Sequence, residues 1–354
     1  MAGMRLKRLA DQVVVITGAS SGIGLATAHL AAERGARLVL ASRNGEDLDR
    51  LVDEIRHGGG EAVSVVADVA RTEDLRRIAR IATDAFGGFD TWVNNAGVSV
   101  YGTLEEIPIA DQRRVFDVNY WGLVQGSLIA AETLRVRGGA IINLGSVLSD
   151  RAVVLQGPYS ASKHAVKAFT DTLRMELEHD GAPVSVTLIK PSAIDTPFFE
   201  HAKTYLDAPG VRNPPPAYDP ALVAKAILHA AEVPSRTLVV GFGGYAISLL
   251  GAHFPRLTDL LTETFGFSGQ TRDEPAPPGW RDNLYVPRRD GHETSSLPGG
   301  HRSTSMYLEA QLHPVVAVAA VVGVAASLAG IITAIRGRRP ERSDPEIAYR
   351  RAGG

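Results

Sequence analysis

Short apolar runs separated by amphipathic stretches constrain this chain more than any other feature. VVVIT (13–17), RLVLA (37–41), AVSVVA (62–67), DTWVNN (90–95), AIINLGS (140–146) and PVSVTLIK (183–190) read as buried strands, and TLVVG (237–241) supplies a seventh. Helical periods lie between them, as in IGLATAHLAAERG and EDLDRLVDEIRHGGG. Gly35, Gly58 to Gly60 and Gly87–Gly88 mark helix ends. Strands this apolar need cover on both faces. The alternation therefore predicts an α/β fold, doubly wound, with a mostly parallel seven-stranded sheet between two layers of helices.

Composition narrows the function classes. With 45% apolar and 21% charged residues the chain is globular, and a net charge of −2 points away from nucleic acid. The absence of cysteine excludes disulfides, thiol catalysis and thiolate-bound metal, and no metal is expected. The basic, then apolar start MAGMRLKRLADQVVVITGAS has only four residues in its apolar core, so it reads as a first strand and not as an export signal. The boundaries expected are a dinucleotide-binding and catalytic domain over 10–266, a polar Pro/Gly-rich linker over 267–313, a membrane-anchoring helix over 314–336 and a basic tail over 337–354. Within the domain, residues 192–219, rich in Pro, Phe and Tyr, are expected to form an active-site lid. NLYVP (283–287) is an apolar island in the linker, expected to dock back onto the domain.

The first strand runs into TGASSGIG, with Gly18, Gly22 and Gly24, and then into a helix. That strand–turn–helix context makes the glycines a dinucleotide loop of the Rossmann type: they let the backbone turn tightly and approach a pyrophosphate on the helix N-terminus. Ser20, Ser21 and Ile23 complete the loop. A site for NAD calls for an acidic residue at the end of the second strand. Ala41, Ser42 and Arg43 stand there instead, and an Arg with a hydroxyl suits a 2′-phosphate, so NADP(H) is expected over NAD(H). Asp68, at the end of the third strand, is placed to accept from an adenine amino group, with Val69 beside it.

Tyr159 and Lys163 of YSASK stand one helical turn apart on one face. A free phenol is a poor acid–base group at neutral pH, and a nearby cation lowers its pKa. On their own the two residues read either as a tuned proton donor or as two residues of a helix.

TGASSGIG, NNAG (94–97), VNYWG (118–122), LGS (144–146), YSASK and KPSAIDTP (190–197) occur in order over residues 10–245. With these six motifs in register, the chain resembles the short-chain dehydrogenase/reductase family. The resemblance implies hydride transfer between NADP(H) and a carbonyl or alcohol substrate. It implies Tyr159 as proton donor, Lys163 as the residue that lowers its pKa and binds the nicotinamide ribose, Ser146 as the group that orients the substrate oxygen, and Asn119 as the holder of a relay water. It further implies that Asn95, Ala96 and Gly97 line the adenosine-ribose side, that Pro191, Ile194 and Thr196 flank the nicotinamide, with Thr196 on its carboxamide, and that the chain forms a homodimer or homotetramer. Ser192 departs from the family's usual Pro-Gly. Val98, Tyr101, Leu148, Val154, Phe198, Phe199 and Tyr205 are expected to line a substrate pocket suited to a lipophilic ketone, aldehyde or alcohol.

Residues 315–335, VVAVAAVVGVAASLAGIITAI, carry no charge over a length sufficient to cross a bilayer. The expectation is a membrane-associated protein with its catalytic domain facing the cytosol, although Arg336, Arg338, Arg339 and Arg342 favour that same side. Two alternatives are a membrane-tethered dinucleotide sensor without activity, which has no need of Ser146, Tyr159 and Lys163, and a lyase, epimerase or dehydratase on the same fold.

Overall fold

The computed structural model describes residues 4–207, 210–272, 281–289, 291–297, 299–319, 322 and 327. The chain divides into two compact units, Met1–Leu308 and Glu309–Gly354.

The first unit is built on seven strands: β1 (Val13–Thr17), β2 (Arg37–Ser42), β3 (Ala62–Val66), β4 (Thr91–Asn94), β5 (Gly139–Leu144), β6 (Val184–Pro191) and β7 (Thr237–Val240). They pair in parallel in the order β7-β6-β5-β4-β1-β2-β3. The chain order reverses between β1 and β4, and this places a crevice at the carboxyl ends of those two strands. β1 and β6 are buried at every position. β6 carries polar residues among its apolar ones, and two of them are paired: Thr187 donates to the Ser235 carbonyl (2.6 Å) and Lys190 to Asp150 (2.6 Å).

The helices are α1 (Gly22–Glu33), α2 (Gly45–His57), α3 (Thr72–Phe86), α4 (Ile109–Phe116), α5 (Gly122–Arg137), α6 (Gly157–His179), α7 (Phe198–His201), α8 (Pro220–Glu232), α9 (Phe242–His253), α10 (Pro255–Gln270) and α11 (Met306–Leu312). α1 packs on α8, while α3 and α6 flank α5. α3 stops where Gly87 takes a left-handed conformation, with φ at 76°. A buried polar chain stiffens the centre of the sheet. The Asn94 amide donates to Ser127 Oγ (2.9 Å) and to Asn143 Oδ1 (2.8 Å), Asn143 donates to Thr170 (3.1 Å), and the Trp92 indole donates to Asn94 (2.8 Å). Every member is paired, so burying these polar groups orders the core instead of weakening it.

Two features depart from the boundaries read in the sequence, and one lies mostly outside the described residues. α10 runs through position 266, so no boundary falls there. The described part of 267–313 is not a free tether: Leu284 is buried in the main core, Ala217–Tyr218 pairs in parallel with His301–Arg302, and Gly210–Val211 pairs antiparallel with Thr271–Arg272. Finally, most of 315–335 lies outside the described residues. Among the described residues, no helix is long and apolar enough to cross a membrane.

Candidate active site

At the end of β1 the chain enters the glycine loop. Gly18 adopts φ +68°, and a Cβ there would lie 2.8 Å from Ala96 Cα. A Cβ on Gly24 would lie 2.0 Å from the Gly18 carbonyl oxygen, so that position accepts no side chain. Asn95 ties the turn by donating its amide to the carbonyls of Thr17 (2.9 Å) and Gly18 (3.1 Å).

A cavity of about 770 Å³ opens beside this loop. Gly18, Ser20, Ser21, Gly22, Ile23, Ser42, Arg43, Asp68, Val69, Asn95, Ala96, Gly97, Pro191, Ile194 and Thr196 all line it, so the structure brings the expected cofactor residues together. Gly24 is the exception: it lies behind the loop and sets its close packing. Asp68 pairs with Arg114 at 2.7 Å. Burial pushes its carboxyl up, but the hydrogen bonds from Arg114 and the Ala70 N–H prevail and hold it below the usual value.

The cavity continues to α6. Pro158 stands in its first turn, and Tyr159, half-buried, and Lys163, buried, follow on the side that lines the cavity. The Lys163 ammonium sits 5.6 Å from the Tyr159 ring centroid and donates to the Leu144 carbonyl at the end of β5 (2.7 Å). Ser146, two residues farther on, is locked by a reciprocal cap: its hydroxyl accepts from the Leu148 N–H, and its own N–H donates to Ser149 Oγ, both at 3.1 Å. Burial pushes Tyr159 up to about 12, against a hydrogen bond with Ser146 that pulls it down. Burial also pushes Lys163 down to about 8. The sequence reading has the cation lowering the phenol. In this wall desolvation sets the direction for both groups, and the pull that lowers the phenol comes from Ser146.

Asn119 sits in a π-helical turn, Asp117–Trp121, behind Lys163 and outside the cavity wall. Its side chain accepts from the Val98 N–H (2.8 Å) and donates to the Val98 carbonyl (3.0 Å) and Ser162 Oγ (3.2 Å).

The substrate end differs in part from expectation. Val98, Leu148, Phe198 and Phe199 line the cavity; Tyr101, Val154 and Tyr205 do not. Tyr101 is fully buried in a small cluster with Leu155, Phe199, Ala202 and Val211, and Val154 packs against that cluster. Tyr205 donates to Asp111 at 2.6 Å. The cause is local pairing: Val100–Tyr101 bonds to Lys203–Thr204 and draws this part of the lid away from the opening. The wall they leave is closed by Ile247 and Leu250 of α9 and by Leu261 and Phe265 of α10. Ile247 and Leu250 stand three apart on α9, and Leu261 and Phe265 four apart on α10, a same-face spacing that signals this second wall in the sequence.

The family model for short chain dehydrogenases matches residues 12–206, more than half of the chain. The chain belongs to the short-chain dehydrogenase family. It is an oxidoreductase of that type, acting on CH–OH and C=O groups. An uncharacterized oxidoreductase of Bacillus subtilis, YxnA, is 47% identical over 91% of both chains. An 11-beta-hydroxysteroid dehydrogenase A from Sesamum indicum is 40% identical over 53% of this chain and 54% of its own length. Among solved structures, a Burkholderia phymatum short-chain dehydrogenase/reductase in complex with NAD superposes with a TM-score of 0.63 at 28% identity, over 73% of this chain and 96% of that one. The L-sorbose reductase of Gluconobacter frateurii, complexed with NADPH and L-sorbose, gives a TM-score of 0.59 at 25% identity, over 68% and 98%. This dehydrogenase therefore shares its Rossmann sheet with relatives that hold either nucleotide.

Proposed function

We propose that this dehydrogenase is NADP(H)-dependent and interconverts a lipophilic ketone or aldehyde with its alcohol. The observation that carries the reading is the continuity of one cavity from Arg43 and the glycine loop, past Tyr159, Ser146 and Lys163, to an apolar wall of Leu148, Phe198, Leu261 and Phe265. The glycine loop at the N-terminus of α1, with Ser42 and Arg43 at the end of β2, fits a dinucleotide phosphate. The preference for NADP(H) rests on Arg43, a cation where an NAD site has a carboxylate.

The bound cofactor supplies hydride chemistry. The polypeptide does the rest. Ser146 Oγ, fixed by its cap, orients the substrate oxygen. Tyr159 keeps its proton through neutral pH and delivers it to that oxygen during reduction. Lys163 holds a positive charge beside the phenol that stabilises the phenolate as the proton leaves. Asn119 braces Val98 and Ser162 behind the pair, and Thr196 lies against the glycine loop, where a Gly22 Cβ would be 3.2 Å from its Cβ. Exposed Trp121, Leu128 and Met175 support self-association through α5 and α6. The apolar run 315–335 supports membrane association with the catalytic unit facing the cytosol.

The test follows NADPH and NADH oxidation across carbonyl compounds graded by size and polarity. Turnover is expected with NADPH on the larger apolar compounds, and Tyr159→Phe is expected to lose roughly 10²–10⁴-fold in kcat. Nucleotide binding without turnover of any compound would instead favour the sensor or lyase readings.

A further inference from the structure

The described residues of 281–305, which follow the catalytic fold, cross the cofactor side of the cavity and bond to both of its banks. Arg43 donates to the carbonyls of Asn283 (2.5 Å), Leu284 (3.3 Å) and Tyr285 (3.2 Å). Asn44, the N-cap of α2, donates to the Arg288 carbonyl at 2.7 Å. The Gly22 N–H, within the glycine loop, donates to the His292 carbonyl at 2.8 Å. Two turns farther along α1, His29 pairs with Glu293 at 2.5 Å. On the opposite bank Ser295 donates to Asp195 (2.7 Å) and Ser296 donates to the Glu200 carboxylate (2.8 Å).

Arg288 is the residue of this crossing best placed for chemistry. Its backbone is tied to Asn44 at the end of β2. Its guanidinium reaches the other bank and donates to the Glu200 carbonyl of α7 at 3.0 Å. Its side chain therefore spans the cleft between the glycine loop and the lid, and it lines the same cavity as Ser21, Gly22 and Arg43. A cation held opposite a helix N-terminus meets an anionic ligand from the second side.

We propose that residues 286–289 and 291–293, which follow the core-anchored Leu284, form a clamp over the dinucleotide, that Arg288 is a further cofactor-binding residue directed at the diphosphate, and that the Gly22–His292 and His29–Glu293 contacts latch the clamp shut. This rests on the reading of the cavity as a dinucleotide site. The clamp must lift for the nucleotide to exchange, so it governs release more than chemistry.

Dissociation of NADPH and of NADH from the full chain, followed by stopped-flow fluorescence with excess competing nucleotide, tests this. Arg288→Gln is expected to speed release of both nucleotides by about tenfold or more, since the diphosphate is common to both, with Arg288→Lys recovering most of the loss. Glu293→Gln, distant from the nucleotide, is expected to speed release of both by about threefold. Arg43→Ala, which also removes the bonds to the Asn283, Leu284 and Tyr285 carbonyls, is expected to speed release of both nucleotides, NADPH the more. Release at the wild-type rate from a folded Arg288→Gln variant would overturn the clamp while leaving the dinucleotide site intact. Faster release of NADPH alone would overturn the assignment to the diphosphate. A wild-type protein that binds neither nucleotide would overturn the clamp and the proposed function together. Where Arg288→Gln does not fold, Glu293→Gln decides by the same criterion.

Discussion

Lys163 and Tyr159 share a dry wall, and burial moves them in opposite directions. The Lys163 ammonium falls to about 8, below its unfolded value, so between pH 8 and about 10.4 the unfolded chain binds more protons and stability rises with pH. Tyr159, raised to about 12, contributes stability that is complete below its unfolded value near 10 and is lost as pH climbs through about 12. The two windows barely overlap. Lys163→Met removes the first alone. Its stability relative to wild type is therefore expected to decline by on the order of 3 kcal/mol between pH 7 and pH 10.5, read from urea midpoints. A difference that stays constant over that range would mean that Lys163 carries no buried charge.

At the scale of elements, the segment after α10 behaves as part of the domain. Leu284 is completely buried among residues of the central core, and Arg114 as well as Arg43 binds its carbonyl. Tyr285 donates to Asp111 at 2.8 Å, and its ring lies 5.9 Å from the Arg114 guanidinium carbon. Leu284→Ala is expected to cost about 2–4 kcal/mol, the range for emptying a packed leucine site. The same variant is expected to be cut first near residues 281–289 in limited proteolysis. Unchanged stability would show that this apolar island is seated only loosely. α9 and α10 wall the substrate cavity, while Phe254 and Leu257 remain exposed.

For the whole molecule, the catalytic machinery lies within Met1–Leu308, and the uncharged run begins after it. A chain truncated after Leu308 is expected to retain NADPH-dependent turnover of water-soluble carbonyl compounds. It is also expected to lose flotation with phospholipid vesicles that the full chain shows. Equal flotation of both would place any membrane contact on the catalytic unit, where α9 and α10 expose their apolar residues.

The sequence by itself determined the sheet, the glycine loop, the Tyr159–Lys163 pair and the order of the motifs. Each of these is local: a strand buried on both faces is mostly apolar, Gly24 has no room for a Cβ, and a spacing of four puts two residues on one helical face. Only the tertiary structure decided which aromatics face the cavity, how burial sets the two pKa values, and where residues 281–305 run. Tyr101 and Tyr205 look like pocket residues until the pairing of Val100–Tyr101 with Lys203–Thr204 turns them away. Leu284 lies 241 residues along the chain from Arg43, yet the two are in hydrogen-bond contact. No local period encodes such a contact; it forms because an apolar side chain leaves water for the core and its backbone carbonyls then need donors.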